Sequence, residues 1–546
     1  MILNTKYKVG LMLVIAVFAG CTRLDEKLNS SLTNQQTQAA LGASGTALLL
    51  KAAYSDFTGP FNDVEQLINL TGNSSDESLV PTRGGDWDDN GKWRSVHAHT
   101  WNPNLAACLL TFNSLNKMNF DATNVLAFNP SDVQAAEARF LRAWSLYYLL
   151  DLFGQYPFRN PGDNLLNAPE VKSGAAAVDF IISELNAILP NLPPAVANMN
   201  YRANPDAARM LLMRCYLNKG AFINRAAPTF SDADMQQVIT LGNTIMSSNR
   251  YSYTANYFDN FSVDNDIKCK EGIFAYQNTS GVSANNLDVK ARWYSTLHYN
   301  QYTPKNPNAG WNGFSTVAEF YNTFGVTAAP TMTLNDSLLD KRIGGRYYPG
   351  VTNVSGLRPG LLVGQQYNEN GAPITDRKTP SHPLAFDPGI SANMVETNAA
   401  KEEITGIRVV KYPPDYSNYD GAAGNDLVIF RYPDVVLMVA EAMMRKAAPD
   451  NAGALALVNA LRTARGAAPL TSMTLVAATN YAPNTLLAER GRELYWEWVR
   501  RTDLIRFGVF LRPWPYKPAD DPKNLLFPVP AQALAANPNL KQNPGY

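Results

Sequence analysis

The sequence predicts a mainly α-helical chain: a tetratricopeptide-like helical scaffold carrying a large loop-rich insertion that contains short strands. Three observations predict it. Apolar residues recur at helical spacing over long stretches towards both ends of the chain. Those stretches come as neighbouring pairs divided by short Pro, Gly or Asn breaks, as stacked helix-turn-helix units do. Between about 250 and 430 the period is lost and Gly, Pro, Asn and Tyr become frequent. The 546 residues, 46% of them hydrophobic, supply an ample core. Forty-seven basic residues balance 47 acidic ones, so no net field draws the chain to nucleic acid.

Taken in order, the chain opens with an address. Lys6 and Lys8 precede an apolar run over 9–19, and Ala19 and Gly20 stand directly before Cys21. This predicts a signal peptide over 1–20, too short to span a membrane as a stable helix. Small residues before a cysteine resemble the bacterial lipoprotein box, with Phe18 where Leu is usual, which makes Cys21 the lipidation residue. The polar stretch 21–33 reads as a tether, and 34–546 as one domain, with helical scaffold over about 34–250 and 428–510.

Within the scaffold, 132–154 places Phe140, Trp144 and Tyr147 on one stripe with Leu141 and Tyr148 beside it, after Ser131 or Asp132 as cap and before Gly154 as stop. Helices follow over 175–193, 204–222, 235–248, 431–446, 453–467 and 485–508. In the last, Glu497 and Arg501 stand at i and i+4, and Glu489, Glu493 and Glu497 form an acidic row for which Arg490, Arg492, Arg500 and Arg501 offer partners. Trp144, Trp496 and Trp498 read as helical scaffold, and Trp101 as packing where a helix begins. The region 250–427 decorates this scaffold as an insertion in which helical period is mostly lost apart from 315–324. Cys108, Cys215 and Cys269 lie far apart without a CxxC, which suggests neither a zinc site nor a disulfide framework.

The stretch 83–101, "RGGDWDDNGKWRSVHAHTW", crowds acids, tryptophans and histidines together. Asp86, Asp88, Asn90 and Gly91 match the first half of a calcium loop, but its twelfth position is His97 instead of a bidentate Glu. A structural calcium is therefore a minor alternative to a turn stabilised by Asx side chains. His97 and His99 lack a third ligand at standard spacing for zinc. No nucleophile elbow, phosphate loop or dinucleotide fingerprint occurs, so the expectation is no catalytic residue, no metal and no cofactor. A hydrolase would need two carboxylates roughly 5–10 Å apart in a cleft.

Aromatic side chains are the stronger candidates, because a sugar ring offers an apolar C–H face ringed by hydroxyls, which calls for a flat platform beside polar groups. Two segments supply both. One holds Trp87 and Trp93 near Arg83, Asp88 and Asn90. The other, 293–312, holds Trp293, Tyr294, Tyr302 and Trp311 near Asn300, Gln301 and Asn312.

Five stretches in order, "EARFLRAWSLYYLLDLFGQYPF" (137–158), "RYPDVVLMVAEAMMR" (431–445), "ALVNALRTARGAAPL" (456–470), "LLAERGRELYWEWVRRTDLIRFG" (486–508) and the ending "LLFPVPAQALAANPNLKQNPGY" (525–546), resemble the SusD/RagB-like outer-membrane lipoproteins of Bacteroidetes. Pro433 stands where Ala is common and Thr502 where an aromatic is frequent. The resemblance implies a non-enzymatic, lipid-anchored protein on the surface of the outer membrane. Such a protein binds an oligosaccharide, or in some members a peptide, and delivers it to a SusC-type TonB-dependent transporter.

Overall fold

Ser131 Oγ accepts a hydrogen bond from the Gln134 N–H while Gln134 Oε1 accepts from the Ser131 N–H, and Gly154, at φ 72°, ends the helix they begin. Between these caps Phe140, Leu141, Trp144, Tyr147 and Tyr148 are all buried, each contributing about 1.5–3 kcal/mol through apolar burial. Similar logic sets the other scaffold helices. Asn204 caps one by accepting from the Asp206 and Ala207 amides ahead of Pro205 at its first position, and Asp450 and Thr485 cap two near the end of the chain.

A computed structural model describes residues 34–282, 287–301, 310–327, 340–344, 357–368, 372–418 and 422–546. The signal segment 1–20, Cys21, the tether 21–33 and Tyr302 lie outside the described residues. The chain divides into two units, Met1–Gly45 and Thr46–Tyr546. The first contributes the opening turns of α1 (Asn34–Ser55), broken at Gly42; the scaffold and the candidate site belong to the second. Its helices are α2 (Lys92–His97), α3 (Ala106–Ala127), α4 (Asp132–Phe153), α5 (Gly174–Ile188), α6 (Pro205–Ile223), α7 (Asp232–Met246), α8 (Asn265–Lys268), α9 (Leu287–Tyr294), α10 (Ala318–Asn322), α11 (Tyr432–Arg445), α12 (Asn451–Ala464), α13 (Leu486–Leu494), α14 (Arg500–Arg506) and α15 (Ala531–Ala536).

Each helix from α3 to α7 packs on the next, α7 packs on α11, and α11 on α12. The chain therefore leaves the helical stack after α7 and rejoins it at α11. Strand Gly272–Tyr276 pairs antiparallel with Leu427–Arg431 where it leaves and returns. The strands between are short and lie in two-stranded sheets, among them Thr82–Arg83 parallel to Val395–Glu396. Among the described residues no helix is long and apolar enough to cross a membrane.

Two expectations are corrected. The stretch 485–508 is two helices, α13 and α14. Trp496 (φ 56°) and Trp498 (φ 63°) sit between them in the left-handed region, so these tryptophans are not helical. The acidic row is buried and finds distant partners. Glu489 pairs with Arg342, Arg462 and Arg492; Glu493 with Arg342, Arg431 and Arg465; and Glu497 with Lys411 and Arg431. Burial pushes the Glu493 carboxyl up, but Arg465, Arg431 and Arg342 outweigh it and hold it down at about 2. Of the four local arginines only Arg492 serves the row. Arg490 bonds Asp434 and Asp503, Arg500 bonds Asp76, and Arg501 reaches Asp151 at 3.8 Å in place of Glu497.

Trp101 is buried, and its Nε1–H donates to the hydroxyl of the C-terminal Tyr546 at 2.6 Å. His97 lies between the carbonyls of Ser78 and Pro515, and His99 contacts Asp520 and the Ser74 carbonyl. Both histidines are buried structural bridges that tie the loop before α3 to 515–520.

Candidate functional site

The first loop turns tightly. The Arg83 and Asp86 backbones exchange hydrogen bonds at 2.9 and 3.1 Å around Gly84, and Asp89, Asn90 and Gly91 then take positive φ ahead of α2. Asp and Asn tolerate that region better than most residues. Trp87, at φ 61°, is a large side chain in a strained conformation. It is held by three contacts: its Nε1–H donates to the Trp311 carbonyl at 2.7 Å, and its ring meets Trp93 at 5.1 Å and Phe314 at 5.8 Å, both edge-on. Gly313 lies against the ring so closely that a Cβ there would come within 2.4 Å of it.

The second loop returns alongside the end of α9. The Trp311 N–H donates to the Tyr294 carbonyl at 2.7 Å, and the amides of Gly313 and Phe314 both donate to the Ser295 carbonyl. This sets the Trp311 indole on the Tyr294 ring, centroids 5.2 Å apart and planes inclined by 14°. Tyr294 is buried beneath, whereas Trp311 is 38% exposed. Tyr294 thus backs an indole that keeps part of its surface open to solvent.

The two predicted segments therefore meet through the Trp87–Trp311 hydrogen bond, but their residues divide into a surface and a support. Trp311, the half-buried Trp87 and the exposed Asn90 are at the surface, and Asp88 pairs with Arg94 at 2.7 Å beside them. Trp93 is buried, with its Nε1–H on Asp89 at 2.7 Å, and Trp293 is fully buried, so neither indole is the open platform that its sequence context suggested. Arg83 and Asn312 are corrected in the same way. Arg83 donates to the Thr405 and Gly313 carbonyls and to Ser315 Oγ, and Asn312 bridges Arg408 and the Glu403 carbonyl. Arg408 shares Ser315 Oγ and the Thr405 carbonyl with Arg83. Burial brings Arg83 down to about 9, and the two guanidiniums are housed by neutral oxygens that brace both loops from behind.

Asp86 accepts from the Tyr299 hydroxyl at 2.5 Å and Asp88 is taken by Arg94. Among the described residues no group of three His, Cys, Asp or Glu side chains is placed to hold a metal ion.

Behind Tyr299, His298 Nε2 lies 2.9 Å from Glu403 Oε2 and its Nδ1 accepts from the Asn300 N–H, which assigns a neutral ring protonated at Nε2; burial lowers its pKa accordingly. Burial also raises Glu403, but hydrogen bonds from His298, Asp376 and the Arg377 N–H outweigh it and hold the carboxyl at about 2. Asp376 moves the other way, raised by burial and by the neighbouring Glu403 carboxylate, while its Oδ1 accepts from the Lys378 and Thr379 amides. The Arg377 guanidinium lies over the Tyr299 ring, 3.7 Å from its centroid. Sequence reasoning missed Tyr299, Arg377 and Glu403. Residues 78 and 26 positions apart carry no shared spacing, and a polar loop such as 375–382 gives no hint of which arginine stacks.

The comparisons agree with this architecture. The starch-binding protein SusD of Bacteroides thetaiotaomicron is 24% identical to the chain over 501 residues, 84% of this chain and 82% of that protein. Solved structures with the same fold include a SusD superfamily protein from Parabacteroides distasonis (TM-score 0.64, 17% identity, covering 94% of this chain and 100% of that one). Surface glycan-binding protein A from Bacteroides uniformis (TM-score 0.65, 17% identity, 92% and 99%) and a laminarin-binding SusD-like protein (0.62, 19%, 92% and 99%) share it too. The family profile described as the SusD family matches residues 242–521, and the chain belongs to that family.

Proposed function

We propose that the chain captures an oligosaccharide at the Trp311–Trp87 face and passes it to a SusC-type TonB-dependent transporter, held at the outer-membrane surface through a lipid on Cys21. The observation that carries the reading is the Trp311 indole, backed by Tyr294 and partly exposed. A sugar ring stacks on such a plane through its C–H face, and the loop of Trp87, hydrogen-bonded to the Trp311 backbone, carries the exposed Asn90 and Asp88 as partners for hydroxyls. Relatives named for binding starch, laminarin and surface glycans support the ligand class. The protein acts by binding, with no bond made or broken. Calorimetry with a panel of neutral and charged oligosaccharides tests it: Trp311→Ala weakens the best ligand at least about tenfold, about 1.4 kcal/mol. Unchanged affinity in Trp311→Ala and Trp87→Ala overturns the site.

A further inference from the structure

Arg377 is the unusual residue of this face. Its guanidinium is stacked on Tyr299, its backbone N–H donates to Glu403 Oε2 at 2.7 Å, and its Nε lies 3.8 Å from Glu403 Oε1. Among the described residues its two Nη groups have no hydrogen-bond partner, and the side chain is 51% exposed. The neighbouring cations are all engaged. Arg94 holds Asp88, Lys92 holds Glu65, Lys378 holds Glu402 and Lys401 holds Asp387, while Arg83 and Arg408 are buried against neutral oxygens. The nearest acids are engaged as well: Asp86 by the Tyr299 hydroxyl, Asp376 by the Lys378 and Thr379 amides, and Glu403 by His298 and the Arg377 amide. Tyr299 bonds Asp86, the residue before Trp87, so the stacked guanidinium stands two contacts from the aromatic face.

A guanidinium held over a ring gives up part of the rotamer freedom that an unrestrained arginine would surrender on binding, and its planar fork matches a carboxylate in two parallel hydrogen bonds. We propose that Arg377 reads a carboxylate, so that the ligand class is an acidic oligosaccharide, one of whose uronate rings is held by the Nη groups while another ring of the same oligomer lies on Trp311. The inference rests on the reading of the Trp311 face as the glycan site.

The test compares the mature chain with Arg377→Ala, Arg377→Lys and Trp311→Ala by calorimetry. The probes are galacturonate, glucuronate and mannuronate oligomers, each beside its carboxyl-reduced neutral twin and a sulfated neutral oligomer. Expected is a preference of about ten- to hundred-fold for at least one acidic oligomer over its twin, the range of a charged hydrogen bond. Arg377→Ala abolishes that preference and leaves the weaker neutral binding; Arg377→Lys keeps part of it; Trp311→Ala weakens acid and twin alike. Equal or tighter binding of the neutral twins, binding to none of the acidic oligomers, a preference for sulfate over carboxylate, or a preference that survives Arg377→Ala each overturns the proposal. Neutral oligomers that bind and lose affinity in Trp311→Ala would preserve the glycan site while Arg377 fails, so the two readings can fall separately.

Discussion

Gly313→Ala isolates the strained Trp87. Gly313 does not have positive φ, so alanine suits its backbone, and the nearest obstacle is the indole: the new Cβ would lie 2.4 Å from two ring carbons. Restoring an ordinary contact of 3.4 Å or more moves the ring by about 1 Å, which lengthens its 2.7 Å hydrogen bond to the Trp311 carbonyl past useful range. Overpacking costs about 1–3 kcal/mol and the lost hydrogen bond about 1 kcal/mol. At about 2 cal/mol/K of unfolding entropy per residue, a chain of 546 residues loses about 1 °C of Tm per kcal/mol, so the variant melts about 2–4 °C lower. Trp87 and Trp93 lie 5.1 Å apart and edge-on, so the near-ultraviolet circular dichroism of the indoles should change with the Tm. An unaltered spectrum and an unaltered Tm would refute the claim that this contact holds Trp87 in place.

Glu77 is buried, with Oε1 accepting from the Trp496 N–H and burial pushing its carboxyl up to about 8. The folded chain therefore keeps a proton that the unfolded chain releases above about 4.5, and its stability falls as pH rises from about 4.5 to 8. Glu77→Gln lacks this loss, so its advantage over the parent should widen by a few kcal/mol between pH 5 and 8 in urea unfolding; a gap that stays flat or narrows sinks the assignment. Glu493→Gln leaves Arg431 and Arg465 facing a neutral group in the interior and should cost about 3–5 kcal/mol; a Tm within 1 °C of the parent would mean that Glu271 and Glu497 carry those arginines without it.

The helical stack was legible because its signals are local: a capping box at Ser131, Pro205 at a first turn, a stripe of aromatics from Phe140 to Tyr148. The break between α13 and α14 was not, since two tryptophans in left-handed conformation look in sequence like two more apolar helical residues. The acidic row was visible, but its partners Arg342, Arg431 and Arg465 come from elsewhere in the fold. At the site, the sequence pointed to the two loops that meet. It could not sort Trp311 from Trp293, because which indole is covered depends on a Tyr294 that stacks under one and on a helix that turns the other inward.

The chain leaves the stack after α7 and re-enters at α11, two helices that touch, with Gly272–Tyr276 and Leu427–Arg431 zipped together just inside the gap. Departure and return share one doorway. The backbone between them can lengthen, shorten or change its residues at a closure cost that grows only logarithmically, about 0.6 kcal/mol for each doubling. Selection could thus re-tool the loop that carries Trp311 and Arg377, which enters and leaves by that doorway, while the helical socket stays the same, so a shared helical frame carries little information about which sugar a given member holds.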